Sequence, residues 1–332
     1  MKKSNSLKLL LAAVLPSVTA FGVIPLTENL SIRGYIDGTY TNRDDEGTAT
    51  DMEGLDLGNA DIDLLISTEK VKSEIHIGSD GTTPEIEQAF ISFDLGGGLS
   101  VMGGKFLTSL SFERDEQYML YQQSRAYDFG SMRAGANGAN NNFRELGTHN
   151  QHGARATYKM DNLSASVSVI DQAFSTNGAA GDASDVGFEA AITYNAMKGL
   201  TIAVGTGQDG GDTSAGMDKL YNIWAQYDGI ENLILAAEYN MYEHFGEDAD
   251  SWLIMGNYSF GNSLAATLRY SQAEEDKNID GSYEGSKFTI SPSYSFTDNL
   301  LGVIEYSTGE YNVDGAGDID VDFIALQGLF TF

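Results

Sequence analysis

Much of the chain alternates strictly between apolar and polar residues, the period of two that gives a β-strand one apolar and one polar face. Leu163, Ala165, Val167 and Val169 interleave with Ser164, Ser166 and Ser168. Phe188, Ala190, Ile192 and Tyr194 do the same with Glu189, Thr193 and Asn195, and Leu233, Leu235, Ala237 and Tyr239 with Glu238 and Asn240. Later, Phe288, Ile290, Tyr294 and Phe296 oppose Lys287, Thr289, Ser293 and Ser295.

Short turns separate these segments, and each is followed at once by Leu. They are Glu-Asn before Leu30, Gly-Gly-Gly before Leu99, Asp-Asn before Leu163, Lys-Gly before Leu200, Glu-Asn before Leu233, Gly-Asn-Ser before Leu264 and Asp-Asn before Leu300. Such turns close two-stranded hairpins. Segments begin near 30, 55, 71, 85, 99, 151, 163, 185, 200, 218, 233, 250, 263, 286, 300 and 319, about sixteen strands. An even number suits a closed bacterial barrel. If the tight turns share one rim, the longer connectors 43–53, 175–184, 207–217 and 274–285 all fall on the other. The pattern therefore predicts an all-β fold: a transmembrane, antiparallel, up-and-down β-barrel of about sixteen strands.

Composition agrees. The chain has 38 Gly, 4 Pro and 11% aromatic residues, and no stretch after residue 22 approaches the ~18 apolar residues of a membrane helix. Lys2, Lys3 and Lys8 flank the apolar run Leu9 to Val18, followed by the small Ala20. That is the pattern of a cleaved secretory signal peptide, so residues 1–22 are expected to be leader and 23–332 barrel. An exported barrel of this kind belongs in the outer membrane of a Gram-negative-type bacterium, with outer-membrane lipid as its surroundings. With no cysteine, disulfides, thiolate metal centres and thiol chemistry are excluded. A formal net charge of −29 argues against a nucleic-acid partner.

Residues 108–150 break the pattern: they show no sustained period and contain the run Gly135-Ala-Asn-Gly-Ala-Asn-Asn-Asn142. Loops much longer than ~12–15 residues are usually functional, and this one is the third on the long-connector rim. It also gathers positive charge. From Lys105 to Lys159 there are seven Lys and Arg against five Asp and Glu, whereas from Met160 onward there are five against twenty-seven. If the loop folds into the lumen, Arg114, Arg125, Arg133 and Arg144 form a constriction facing carboxylates of the wall, and fixed charges at a constriction set ion preference. If it lies outside, those arginines pair with Glu113, Asp115, Glu116, Asp128 and Glu145. Strand phase points Asp37, Asp61, Asp63, Glu74, Arg155, Glu189, Glu238, Arg269 and Glu305 inward, since a charge facing lipid at mid-membrane costs ~2–4 kcal/mol. It leaves Lys105 undecided.

Other chemistry is thinner. Asp276, Asn278, Asp280 and Gly281 start a calcium-loop pattern, but its twelfth position is Lys287 instead of Glu. No cofactor is expected beyond a weak calcium site on that outer loop. Asp318, Asp320 and Asp322 lack even the glycine. A barrel hydrolase would draw on His149, His152, Ser124 and Asp128, and a non-conducting adhesin or structural barrel is a further alternative.

The chain ends in alternating Ile324, Leu326, Gly328, Phe330 and Phe332, which resembles the C-terminal strand of bacterial outer-membrane barrels. That resemblance implies recognition by the barrel-insertion machinery through Phe332. The segments EIEQAFISFDLGGGLSVMGGKFLTSLSFE (85–113), YQQSRAYDFG (121–130) and HGARATY (152–158) resemble the OmpL-like β-barrel porin family. Tyr-Gln-Gln stands where that family has an Asn-rich stretch. The resemblance implies a water-filled channel for passive diffusion of small hydrophilic solutes and ions, an inward third loop and a homotrimer. No enzymatic activity is expected.

Overall fold

The computed structural model describes residues 22–45, 52–79, 83–129, 150–171, 186–209, 219–244, 247–275, 283–313 and 317–332. The leader, Arg133, Arg144, His149, Asp276, Asn278 and Asp280 lie outside them.

Sixteen antiparallel strands form one closed sheet. They are β1 (Leu30–Asp45), β2 (Met52–Ser67), β3 (Val71–Ser79), β4 (Glu85–Gly96), β5 (Leu99–Leu107), β6 (Asn150–Met160), β7 (Leu163–Ile170) and β8 (Gly187–Met197). The second half comprises β9 (Leu200–Gln208), β10 (Lys219–Ile230), β11 (Leu233–His244), β12 (Glu247–Gly261), β13 (Leu264–Glu275), β14 (Tyr283–Thr297), β15 (Leu300–Val313) and β16 (Gly317–Thr331). Each strand pairs with the next, and β16 returns to β1 with Thr331 opposite Tyr35. A short pairing of Ile24–Pro25 with β1 precedes the barrel. Beyond the last strand, Phe332 exchanges both backbone hydrogen bonds with Gly34 (2.8 and 2.9 Å), and its ring occupies the space a Cβ at 34 would need. Closure leaves no unpaired edge, which is the only way a sheet satisfies its backbone in a membrane.

The repeated turns are two-residue hairpins, pairing Met160 with Leu163, Met197 with Leu200, Ile230 with Leu233 and Thr297 with Leu300. Asp161, Gly199 and Asn232 carry positive φ, the conformation a tight hairpin requires and that Gly, Asn and Asp adopt most readily.

Polarity is inverted relative to a water-soluble protein. Val167 (57% exposed), Ile91 (61%) and Ile254 (54%) face outward, while Glu189, Glu238, Arg269 and Glu305 are buried. Tyr158, Tyr194, Tyr258, Phe260, Tyr294 and Phe296 are exposed beside the tight turns, with Phe188, Tyr221, Tyr239, Phe288 and Tyr306 nearer the opposite rim. Two aromatic girdles around an apolar band are what a lipid-embedded barrel presents.

Away from the tight turns, two bulges interrupt the register; the remaining shifts fall beside those turns. Asp37 faces Asn59 and Gly38 faces Leu57, so Gly58 is extra on β2. His76 faces Gln88 and Ile77 faces Ile86, so Glu87 is extra on β4. A bulge redirects the side chains around it.

Candidate functional site

The described half of the long loop, residues 108–129, packs on inward-facing side chains of the wall. Its apolar residues fit sockets made by small wall residues. Leu110 joins Phe106, Ile170, Leu220 and Tyr242, and a Cβ on Gly205 would overlap its Cδ2. Tyr121, Tyr127 and Phe129 pack on Ala236, Leu253 and Ala273, with Gly285 leaving room for the Phe129 ring. Tyr118 lies edge-on to Tyr35 at 5.3 Å beside Leu301 and Leu329. Full burial of one such side chain stabilises by about 1.5–3 kcal/mol.

Polar contacts fix the register between loop and wall. Glu189 of β8 accepts from Ser109 N (2.9 Å) and from the Thr108 hydroxyl, while Arg155 of β6 donates to the same carboxylate (3.0 Å). Arg155 also caps Leu107 O and lies over the Phe106 ring at 4.5 Å. Glu238 of β11 accepts from Phe112 N (2.7 Å), Asn222 (2.9 Å) and the Tyr127 hydroxyl (3.2 Å). Glu305 of β15 accepts from Gln123 N (2.8 Å), Ser124 N (2.9 Å) and the Ser124 hydroxyl. Arg269 of β13 donates to Glu113 (2.6 Å) and Ser124 O (2.9 Å), and Lys287 of β14 donates to Arg125 O (2.6 Å) and Asp128 O (2.7 Å). Bonds to a charged group are worth about 1.5–3 kcal/mol each. Glu189, Glu238, Glu305, Arg269 and Lys287 clamp a segment that has almost no secondary structure of its own.

The two described loop arginines, Arg114 and Arg125, turn back upon the loop itself. Arg114 donates to Leu110 O (3.0 Å) and Thr108 O (2.8 Å), and Arg125 donates to Arg114 O (2.6 Å) and to Asp115. The wall carboxylates thus meet backbone N–H groups, hydroxyls and wall bases, and the two described loop arginines stitch carbonyls of the turn. Ser124, a hydrolase candidate, is buried between Glu305 and Arg269. His152 is exposed on β6 opposite Lys105. Lys105 donates to Ile86 O at 2.7 Å.

Toward β1–β4 the wall is different. Arg33 and His76 each reach both Asp63 and Glu74: Arg33 at 2.6 and 3.7 Å, His76 at 2.9 and 3.1 Å. Asp37 accepts from Gln327 (2.7 Å) and from Asn59 N. Beside this network, Asp61, Glu87 and the loop's Glu116 bring carboxylate oxygens within 4.8 Å of one another. Burial, then the neighbouring charges of Asp115, Glu87 and Asp63, push the Glu116 carboxyl up to about 8. Burial likewise holds Asp115 above the usual carboxylate range, against the pull of Arg125.

Sequence phase gave no inward role to Glu87, and Glu113 and Glu116 entered only as partners for exposed arginines. One signal for Glu87 was present: the adjacent polar pair Glu87-Gln88 breaks the alternation that Glu85 and Ile86 begin, as a bulge would. Glu113 and Glu116 sit in aperiodic sequence and carried no such mark.

Between the loop and β10–β16 lies a cavity of about 680 Å³. Gln117, Gln122, Gln226, Asn257, Ser293 and Gln327 are among its polar lining, and Asp228 is its one charged lining residue.

No protein-family model matches the chain, the OmpL-like family included, and no curated protein matches it by sequence. Solved structures do match in fold. The outer membrane channel DcaP of Acinetobacter baumannii superposes with a TM-score of 0.68 at 11% identity, over 94% of this chain and 100% of that one. The anion-selective porin from Comamonas acidovorans gives 0.68 at 12% identity, over 91% and 99%. The trimer form of OmpT, an outer membrane protein of Vibrio cholerae, gives 0.61 at 13% identity, over 92% and 100%. The chain is therefore a closed sixteen-stranded barrel of the fold these outer-membrane porins and channels share.

Proposed function

We propose that the protein is an outer-membrane porin: a water-filled channel for passive diffusion of small hydrophilic solutes and ions, narrowed by residues 108–150 folded into the lumen. The observation that carries this reading is the cavity of about 680 Å³, lined by amides and hydroxyls as well as apolar side chains, beside a loop clamped to the inner wall, inside a barrel whose outer face is apolar. Amides and hydroxyls lining a wet cavity exchange hydrogen bonds with passing solutes at little net cost. Carboxylates outnumber bases in the chain, and the two described loop arginines are engaged by carbonyls, so cations are favoured over anions.

The chain is further read as inserting through its C-terminal strand ending in Phe332 and as assembling into a homotrimer, the state described for one OmpT structure. Single-channel recording of the refolded protein in a planar bilayer, with a KCl gradient, tests the function. Stepwise conductance with a cation-selective reversal potential is expected. A folded, inserted barrel that passes no current would overturn it.

A further inference from the structure

We propose that Asp61, Glu87 and Glu116 bind a hard divalent cation of the calcium class, joining the loop to the β2–β4 wall. The three carboxylates come from three separate segments, and their oxygens lie within 4.8 Å of one another. Calcium–oxygen distances of about 2.3–2.6 Å place two ligands of one ion no more than about 5 Å apart, so one ion spans all three.

Backbone features direct the ligands to this point. Glu87 is the extra residue of the β4 bulge, which turns its carboxylate across β3. There it passes over Gly78, where a Cβ would overlap the Glu87 carboxylate, and Gly78 is the register partner of Asp61. A glycine therefore keeps the space through which Glu87 reaches Asp61.

The oxygens also need a cation. Asp61 and Glu116 are 3% and 4% exposed, yet Asp61 Oδ2 and Glu116 Oε1 make no hydrogen bond. Arg33 and His76, the bases of the adjoining network, are held by Asp63 and Glu74. Among the described residues no ion pair reaches Asp61, Glu87 or Glu116. Three clustered carboxylates left this way repel one another in a low-dielectric site, and a divalent ion with oxygen ligands removes that cost.

The test is calcium binding to the full, folded chain in detergent at pH 8, by equilibrium dialysis and by thermal unfolding in calcium against chelator. Acidic outer loops bind calcium too, so the difference between parent and variant is read. Glu116→Gln, which alters only the loop, should bind one ion fewer per chain and lose the calcium-dependent rise in unfolding temperature. Gly78→Ala keeps every charge and should weaken that same ion at least tenfold. Equal stoichiometry and equal calcium response in parent, Glu116→Gln and Gly78→Ala, all migrating as heat-modifiable barrels, would show that the cluster holds shared protons and overturn the proposal.

Discussion

The loop meets the barrel on two sides that use the same side chain for different ends. Toward β8–β15, Glu189, Glu238 and Glu305 each collect backbone N–H groups and hydroxyls of the loop, and Arg155 donates to Glu189 as well. Toward β1–β4, Asp61 and Glu87 meet a third carboxylate, with buried oxygens left unbonded. A buried carboxylate is an anchor where donors converge on it and a cation site where they do not. Burial alone does not distinguish the two.

The largest expected effect comes from breaking the anchored side. Arg269→Met leaves Glu113 buried without its ion pair, and removing one partner of a buried pair costs roughly 3–5 kcal/mol. A lowered denaturant midpoint and faster proteolysis within 108–150 would register it. Glu305→Gln removes charge but keeps shape, weakening three loop contacts by about 1.5–3 kcal/mol in total, and single-channel records should show larger, noisier conductance. An unchanged current would mean that this loop does not narrow the pore.

On the acidic side the expected effect is linked to pH. Glu116 has its folded value raised to about 8, above an unfolded value near 4.3. Its protonated form is favoured by docking, so without divalent ions its contribution is full below pH ~4.3 and is lost as pH rises through 8. The slope approaches 1.4 kcal/mol per pH unit at most. Loop proteolysis in chelator should therefore accelerate between about pH 5 and 8 and level off above, and Glu116→Gln should flatten the profile. Calcium should slow the high-pH cleavage of the parent.

Arg114→Ala is expected to matter least. It removes two bonds to loop carbonyls, a loss felt within the loop, and should leave the reversal potential in place. A shift toward stronger cation preference would instead put this guanidinium on the ion path.

How much was legible follows from period. Strands such as β7 and β14 alternate along most of their length, so their approximate starting points and their polar inward residues, Ser168 and Thr289 among them, could be read directly. Two-residue turns with Asn, Asp or Gly announced themselves because few other residues tolerate their backbone. Residues 108–129 have no period, and their positions depend on partners up to 210 residues away, as with Gln117 and Gln327.

The sequence by itself determined the closed antiparallel sheet, the turns and the two faces of the wall, because these depend on neighbours two residues apart and on one apolar surrounding. Tertiary structure alone decided where the loop is clamped, that Arg114 and Arg125 serve its carbonyls, and that the β4 bulge carries Glu87 over Gly78 toward Asp61. Those outcomes depend on single-residue register slips and on glycine-sized gaps between distant strands. No local periodicity records such relations, because they exist only once the barrel has closed.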